Sequence, residues 1–313
     1  MRQAPQETAL LHYLLMFLFP WGRNDALMGI MTIRNSLRFC ERGKRAMPKL
    51  LTDIQRSTYE REGIVFPLRV LSASDALHYR TACDELETHL GGKPRTVEVR
   101  QMHLHLRWAY DLATCPRVLD AVEDILGPNL LIWATELFAK HPQDTTVSIG
   151  WHRDRTYMGF APQASITAWI ALSDSTPANG CMRAVPGPRR FDVPDKSHGK
   201  RPTAIEVNEQ EAIDVILSAG EMSLHDDAIL HGSGPNHSRE KRVGFAIRFI
   251  TPEACPPQEK PPVILARGED RSDRFCIVAP PENGDVDTAL ANLRVSAALH
   301  FEAMLQLLRR SVP

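Results

Sequence analysis

Two histidines and an aspartate have the types and order of a metal site: His152, then Asp154 after the single residue Arg153, then His231, 77 residues beyond Asp154. Strand side chains alternate with a period of two, so a His-x-Asp pair on a strand presents both groups on one face. A third ligand from a distant strand would close a three-point face around a single ion. Two imidazoles and a carboxylate, with the opposite positions open, suit non-haem Fe(II) and oxygen chemistry. Eleven residues after His231 stands Arg242, whose planar fork can hold a carboxylate at two points. The combination predicts an iron enzyme that consumes a 2-oxo acid.

Several neighbours compete for attention. His-Arg-Asp also occurs in protein-kinase catalytic loops, but the Asn expected five residues after the Asp is Gly159, and no Asp-Phe-Gly or Gly-rich phosphate loop accompanies it. His225, six residues before His231, is expected to be structural or to support the ligands. Arg248 has the same strand parity as Arg242. Six strand residues span about 20 Å, so only one of the two arginines is expected to reach the cofactor, and spacing from His231 favours Arg242.

The elements that must position these groups fall into three blocks. Helical signals come first, over Asp53 to Glu62, after the Ser72-x-x-Asp75 capping box, and from Pro116 to Gly127-Pro128. A short strand is expected at Gly63 to Pro67. From about Leu130 the pattern changes to strands: Asn129 to Phe138, Ser165 to Leu172, Glu221 to Leu224 and Arg242 to Ile250 are rich in β-branched and aromatic residues. Asn179-Gly180 signals a tight turn between a strand ending near Ser173 and one starting at Cys181. The tail returns to helix, with Leu290, Leu293, Ala297, Phe301, Leu305 and Leu308 at helical spacing. The order predicts an α+β chain with a mainly β core: a double-stranded β-helix (jelly roll, cupin-like) with flanking N- and C-terminal helices.

At 313 residues with 43% hydrophobic and 24% charged content, the chain can bury a full core as an ordinary globular protein. A net charge of -1 gives no general attraction to nucleic acid or anionic membranes, and neither is expected as a partner. Six scattered cysteines without a C-x-x-C read as reduced thiols in a cytoplasmic protein. The apolar run from Ala9 to Phe19 is shorter than the roughly 20 residues a membrane span takes. Met47 is expected to open the folded domain. That makes residues 1–46 an extension outside the core and 47–313 the domain that carries the candidate iron site.

The stretches Trp151-His-Arg-Asp-Arg-Thr-Tyr-Met-Gly-Phe, Thr167-Ala-Trp-Ile-Ala-Leu-Ser-Asp, Asn179-Gly-Cys-Met-Arg-Ala-Val-Pro-Gly, Gly220-Glu-Met-Ser-Leu-His and His231-Gly-Ser-Gly-Pro-Asn together closely resemble the phytanoyl-CoA dioxygenase family. These are Fe(II)- and 2-oxoglutarate-dependent oxygenases on a jelly-roll core, and the resemblance covers roughly residues 47 to 255. It implies that His152, Asp154 and His231 hold iron and that Arg242 pairs with the distal carboxylate of 2-oxoglutarate. It further implies that Ser233 adds a hydrogen bond there, that Lys140 and Trp169 line the cosubstrate pocket, and that O2 is the second cosubstrate. Relatives that halogenate carry Ala or Gly at the position of Asp154, so its carboxylate favours hydroxylation. The substrate implied is a small metabolite or natural-product intermediate, with succinate and CO2 released.

For the substrate itself the residues say less. Val97 to Trp108 alternates over a strand length, which would put His103, His105 and Arg107 on one face. Such a face at the barrel mouth could receive an anionic or zwitterionic substrate; a solvated strand face gives the same alternation. Arg155, Tyr157 and Met158, just past the ligands, are further candidates for the pocket edge. Two other readings stay open: a catalytically silent jelly-roll binding module, and a non-oxidative metal-dependent cupin-like enzyme. The first has no need of the four metal and arginine positions together, and the second has no need of Arg242.

Overall fold

A computed structural model describes residues 49–94, 96–160, 165–187 and 207–310; the expected N-terminal extension, residues 1–46, lies outside them. Two capped helices open the described chain. Helix α1 (Asp53–Glu62) starts on a capping box between Thr52 and Gln55 and stops at Gly63, whose φ of 74° suits glycine. Helix α2 (Ala73–His89) starts on the reciprocal Ser72–Asp75 box expected from the sequence. Between them runs β1 (Ile64–Arg69), and α3 (Arg107–Ala113) and α4 (Pro116–Leu126) follow, the latter with proline in its first turn.

The strands then come in sequence: β2 (Leu130–Lys140), β3 (Ile149–His152), β4 (Ser165–Ala171), β5 (Met182–Val185), β6 (Ile213–Val215), β7 (Glu221–Asp226), β8 (Leu230–Ser233), β9 (Arg242–Ile250), β10 (Pro262–Arg267) and β11 (Cys276–Ile277). The short helix α5 (Arg155–Met158) follows β3, and α6 (Val286–Arg310) closes the chain. One sheet has seven strands in the order β1-β7-β4-β9-β2-β10-β11, and the other has four in the order β3-β8-β5-β6. Such non-sequential orders in two sheets are those of a jelly roll.

Central strands of the larger sheet are buried on both faces, which is why they read as near-continuous apolar runs. On β9, Val243, Phe245, Ile247 and Phe249 enter the core shared with α2, α3 and α4, where Cys83, Leu112 and Val118 also lie. The alternate residues Arg242, Ala246 and Arg248 line the space facing the smaller sheet. On β4 the same alternation sends Ile166, Ala168 and Ile170 to the core and Thr167 and Trp169 to that space.

One sequence expectation is corrected. Residues 96–107 form no strand: 3-10 turns at Thr96–Val99 and Met102–Leu104 lead into α3. The alternation there reflects turns whose residues are buried individually, so period two carried no information about a sheet. Asn179-Gly180 is the turn expected between two strands. It ends a 3-10 turn over Pro177–Asn179 and passes the chain from β4 in one sheet to β5 in the other. A Cβ at Gly180 would lie 2.4 Å from the Gly234 carbonyl oxygen, so glycine is required there for close approach as well as for φ. No helix among the described residues is long and apolar enough to cross a membrane.

Candidate metal centre

The two candidate histidine ligands face each other across a strand pair. β3 and β8 are antiparallel, and His152 is registered directly against His231, with ring centroids 4.2 Å apart. Asp154 is not on the strand as the spacing had suggested. β3 ends at His152, and Asp154 adopts helical angles at the start of α5, so a turn, not strand parity, brings its carboxylate round. One ligand atom from each of the three residues lies within 4.8 Å of the others.

Backbone carbonyls fix the rings. Nδ1 of His152 is 2.8 Å from the Gly150 carbonyl oxygen and Nδ1 of His231 is 3.1 Å from that of Ile229, so each Nδ1–H donates outward and, in the neutral ring, Nε2 keeps its lone pair. Burial, reinforced by the nearby His152 ring, holds His231 well below the usual imidazole range, so it is neutral and able to ligate. Burial alone would raise the Asp154 carboxyl, but Arg248, His152 and His225 outweigh it and hold the group well below the usual carboxylate range. Thr167 Oγ1 donates to Asp154 Oδ2 at 2.8 Å and the Arg248 guanidinium lies 3.5 Å from Oδ1. Thr167 and Arg248 are cross-strand partners on β4 and β9, so one rung of the large sheet orients the carboxylate.

The cavity continues from the ligands to a cationic end. Arg242 and Lys140 are registered partners on β9 and β2, and both are almost completely buried. Lys140 Nζ donates to Ser233 Oγ at 2.7 Å and to the carbonyls of Gly180 and Gly234. Arg242 donates to the Gly180 carbonyl at 3.2 Å, its Nε has no partner, and its guanidinium lies 5.2 Å from the Trp169 ring centroid. Among the described residues neither cation has a carboxylate partner. Two buried cations without counter-charge make a place suited to an anion, because isolated buried charge is costly.

Burial, followed by the charge of Arg242, pushes Lys140 down to about 7. The free protein therefore loses this positive charge as the pH rises through neutrality. A carboxylate ligand at this end should bind progressively more weakly above about pH 7, and Lys140→Met should flatten that dependence; titration of 2-oxoglutarate binding between pH 6 and 9 tests both. Trp169 is seated by a missing side chain. A Cβ at Gly244 would lie 1.9 Å from Trp169 Cζ2, so Gly244→Ala must swing the indole off Arg242. Overpacking of this kind costs about 1–3 kcal/mol, to be read as a fall in thermal midpoint together with weaker 2-oxoglutarate binding.

The structure gathers His152, Asp154, His231, Ser233, Trp169, Arg242 and Arg248 around one cavity, with Lys140 bonded to its Ser233. Both arginines line it because β9 runs along its length: Arg242 stands at the cationic end and Arg248 against Asp154. An adjoining cleft of about 380 Å³ shares His152, Asp154 and Arg248 with it and also takes in Tyr157 and Met158. Arg155 points elsewhere, bonding Asp227 at 2.7 Å. His103, His105 and Arg107 do not line the cleft: His103 is buried against Thr135, His105 bonds Ser296 at 2.6 Å, and Arg107 pairs on the surface with Asp111.

Sequence reading missed the remainder of the cleft. Glu136 on β2 bonds both Arg100 and Arg248, and α6 contributes His300, Phe301, Met304 and Leu305. Glu136 has the same parity as Lys140 and Phe138, a usable signal. The α6 residues have none, since their apolar spacing is that of any packed helix. His225 is buried with neither ring nitrogen within hydrogen-bond distance of a partner among the described residues, 4.9 Å from the His231 ring and 3.8 Å from Asp154 Oδ2, which makes it a neighbour of the candidate ligands.

A jelly roll with two histidines and a carboxylate on one face, facing an anion site, is the architecture of a non-haem metal oxygenase. Comparison with known proteins agrees. The phytanoyl-CoA dioxygenase (PhyH) family profile matches residues 38–244, and the chain belongs to this family. A probable alpha-ketoglutarate-dependent hypophosphite dioxygenase from Stutzerimonas stutzeri is 28% identical over 168 residues, 50% of this chain and 58% of that protein. The chain spans little more than half the length of the curated relatives it matches first. Among solved structures, the non-haem monooxygenase ThoJ in its apo form is 32% identical with a TM-score of 0.69, covering 82% of this chain and 99% of that one. CytC3 with Fe(II) and alpha-ketoglutarate has the same fold at 19% identity and a TM-score of 0.59, covering 76% and 97%.

Proposed function

We propose that this chain is an Fe(II)- and 2-oxoglutarate-dependent dioxygenase that hydroxylates a small molecule: substrate C–H, O2 and 2-oxoglutarate become C–OH, succinate and CO2. The observation that carries this reading is the pairing, within one cavity, of a three-residue metal-binding face with buried Arg242, backed by Lys140 on Ser233, neither cation having a carboxylate partner among the described residues. An ion alone would not need the cations. A dianion that must reach both the metal and the far end of the cavity does.

Bound iron would supply oxygen activation coupled to oxidative decarboxylation of the 2-oxo acid. Everything else is protein work. His152, Asp154 and His231 would hold the ion, with their donor atoms set by the carbonyls of Gly150 and Ile229 and by Thr167 and Arg248. Arg242 and Ser233 would fix the distal carboxylate, Lys140 would reinforce it, and Trp169 would wall it from water. Because Asp154 occupies the third ligand position, transfer of hydroxyl to the substrate is favoured over halogenation. The adjoining cleft would take the substrate, with Tyr157 and Met158 beside the ligands.

The test is succinate formation from 2-oxoglutarate after oxygen is admitted to protein reconstituted anaerobically with Fe(II), beside a His152→Ala control. Iron-dependent succinate that disappears in the control is expected. Failure to form succinate, even with a broad metabolite extract present, would remove the oxygenase reading.

A further inference from the structure

The substrate cleft carries a polar group with a proton to offer. Its charges are otherwise matched within the protein: Glu136 lies between Arg100 and Arg248, and Arg248 also faces Asp154. Trp133, Phe138, Tyr157, Met158, Phe301 and Leu305 give it apolar and aromatic walls. His300, on α6, packs its ring 4.9 Å from that of Trp133, and Gln101 Nε2 donates to His300 Nδ1 at 2.8 Å.

Gln101 is built for that contact. It is buried in the left-handed region, with φ 59° and ψ 27°, where non-glycine residues are uncommon. It is held there by its backbone bond to the Thr135 carbonyl and by the neighbouring Arg100–Glu136 bridge. Strained residues of this kind persist where their surroundings over-determine them, and they cluster at ligand sites. Burial, then the charges of Arg100 and Arg248, pushes His300 down to about 3, so its ring is neutral. With Nδ1 accepting from Gln101, the single ring proton sits on Nε2. Among the described residues no acceptor is bonded to that nitrogen.

We infer that His300 is a specificity-determining residue: its Nε2–H donates to an oxygen acceptor on an otherwise apolar, flat substrate whose ring packs between Trp133, Tyr157 and Phe301. The inference rests on the oxygenase reading and replaces the anionic or zwitterionic substrate expected from His103, His105 and Arg107, which lie outside the cleft. Gln101 is a positioning residue for it, setting the tautomer and the ring plane.

Coumarin and naphthalene serve as probes, two fused six-membered bicycles of which only the first carries a carbonyl acceptor. Binding is measured calorimetrically to the Fe(II)- and 2-oxoglutarate-loaded protein without oxygen. The wild type is expected to bind coumarin about tenfold more tightly than naphthalene, the scale of one buried hydrogen bond. His300→Leu should erase the difference by weakening coumarin alone, and His300→Gln should restore part of it. Gln101→Gly, whose backbone already suits glycine, provides a variant that keeps the fold and should also lose the preference. No saturable coumarin binding, no preference in the wild type, equal weakening of both probes, or a preference that survives both His300→Leu and Gln101→Gly would each overturn the inference. The visible charge-transfer absorption of the Fe(II)-bound 2-oxo acid is recorded in every sample. Its absence from the wild type would count against the oxygenase reading, whereas a normal band with no probe preference would count only against His300.

Discussion

Asp154→Ala is expected to reduce iron-dependent succinate formation by about a hundredfold or more, with a parallel loss of bound iron. Even residues that only orient metal ligands typically cost 10–100-fold in metal affinity or activity, so removal of a ligand should cost at least as much. The substitution also strips Arg248 of one of its two acids and leaves His225 facing a gap. Asp154→Asn separates the two effects, since it keeps the shape and the contact with Thr167 but loses the charge. Metal content after dialysis, read beside succinate yield, checks the expectation. Full iron occupancy and full turnover in Asp154→Ala would show that the three-ligand face is not the working site.

Arg242→Met is expected to act on cosubstrate and not on metal. Methionine keeps an apolar stem against Trp169 and removes the fork from a completely buried position. Loss of one partner from a buried charged contact costs about 2–4 kcal/mol, which weakens 2-oxoglutarate binding by roughly thirty- to eight-hundredfold. The KM for 2-oxoglutarate should rise by that factor while iron binding stays unchanged. Arg242→Lys should recover only part of the loss, because a single ammonium cannot make the planar two-point contact. Unchanged 2-oxoglutarate affinity in Arg242→Met would place the distal carboxylate elsewhere and remove the basis for assigning this end of the cavity.

The fold was legible wherever local chemistry and global arrangement agree. The Ser72–Asp75 box, proline at the start of α4 and the β9 run from Arg242 to Ile250 all stand where the sequence put them. The three residues of the candidate metal site were legible because metal chemistry restricts residue type, and the structure brings them together. How Asp154 comes to the two histidines was not: strand parity predicted the right neighbour for the wrong reason, since the strand ends before it. Residues 96–107 misled because alternation in turns mimics alternation in strands. The cleft wall was least legible. Arg100, Glu136 and His300 come together only when a turn, a central strand and the last helix dock, and no spacing in the sequence encodes that docking.

Register gives the candidate metal centre an unusual kind of security. His152 and His231 are opposed across β3 and β8, so their separation is set by a ladder of backbone bonds and not by the chain that joins them. A slip of one residue would turn one imidazole to the wrong side of its sheet altogether, so intermediate geometries between a competent centre and none are scarce. The stretch between the two strands also carries Asp154 and β4 to β7, so only the loops that join those elements are correspondingly free. Insertions, deletions and new loops there can reshape what the protein does to its surroundings while the distance between its two imidazoles stays the same.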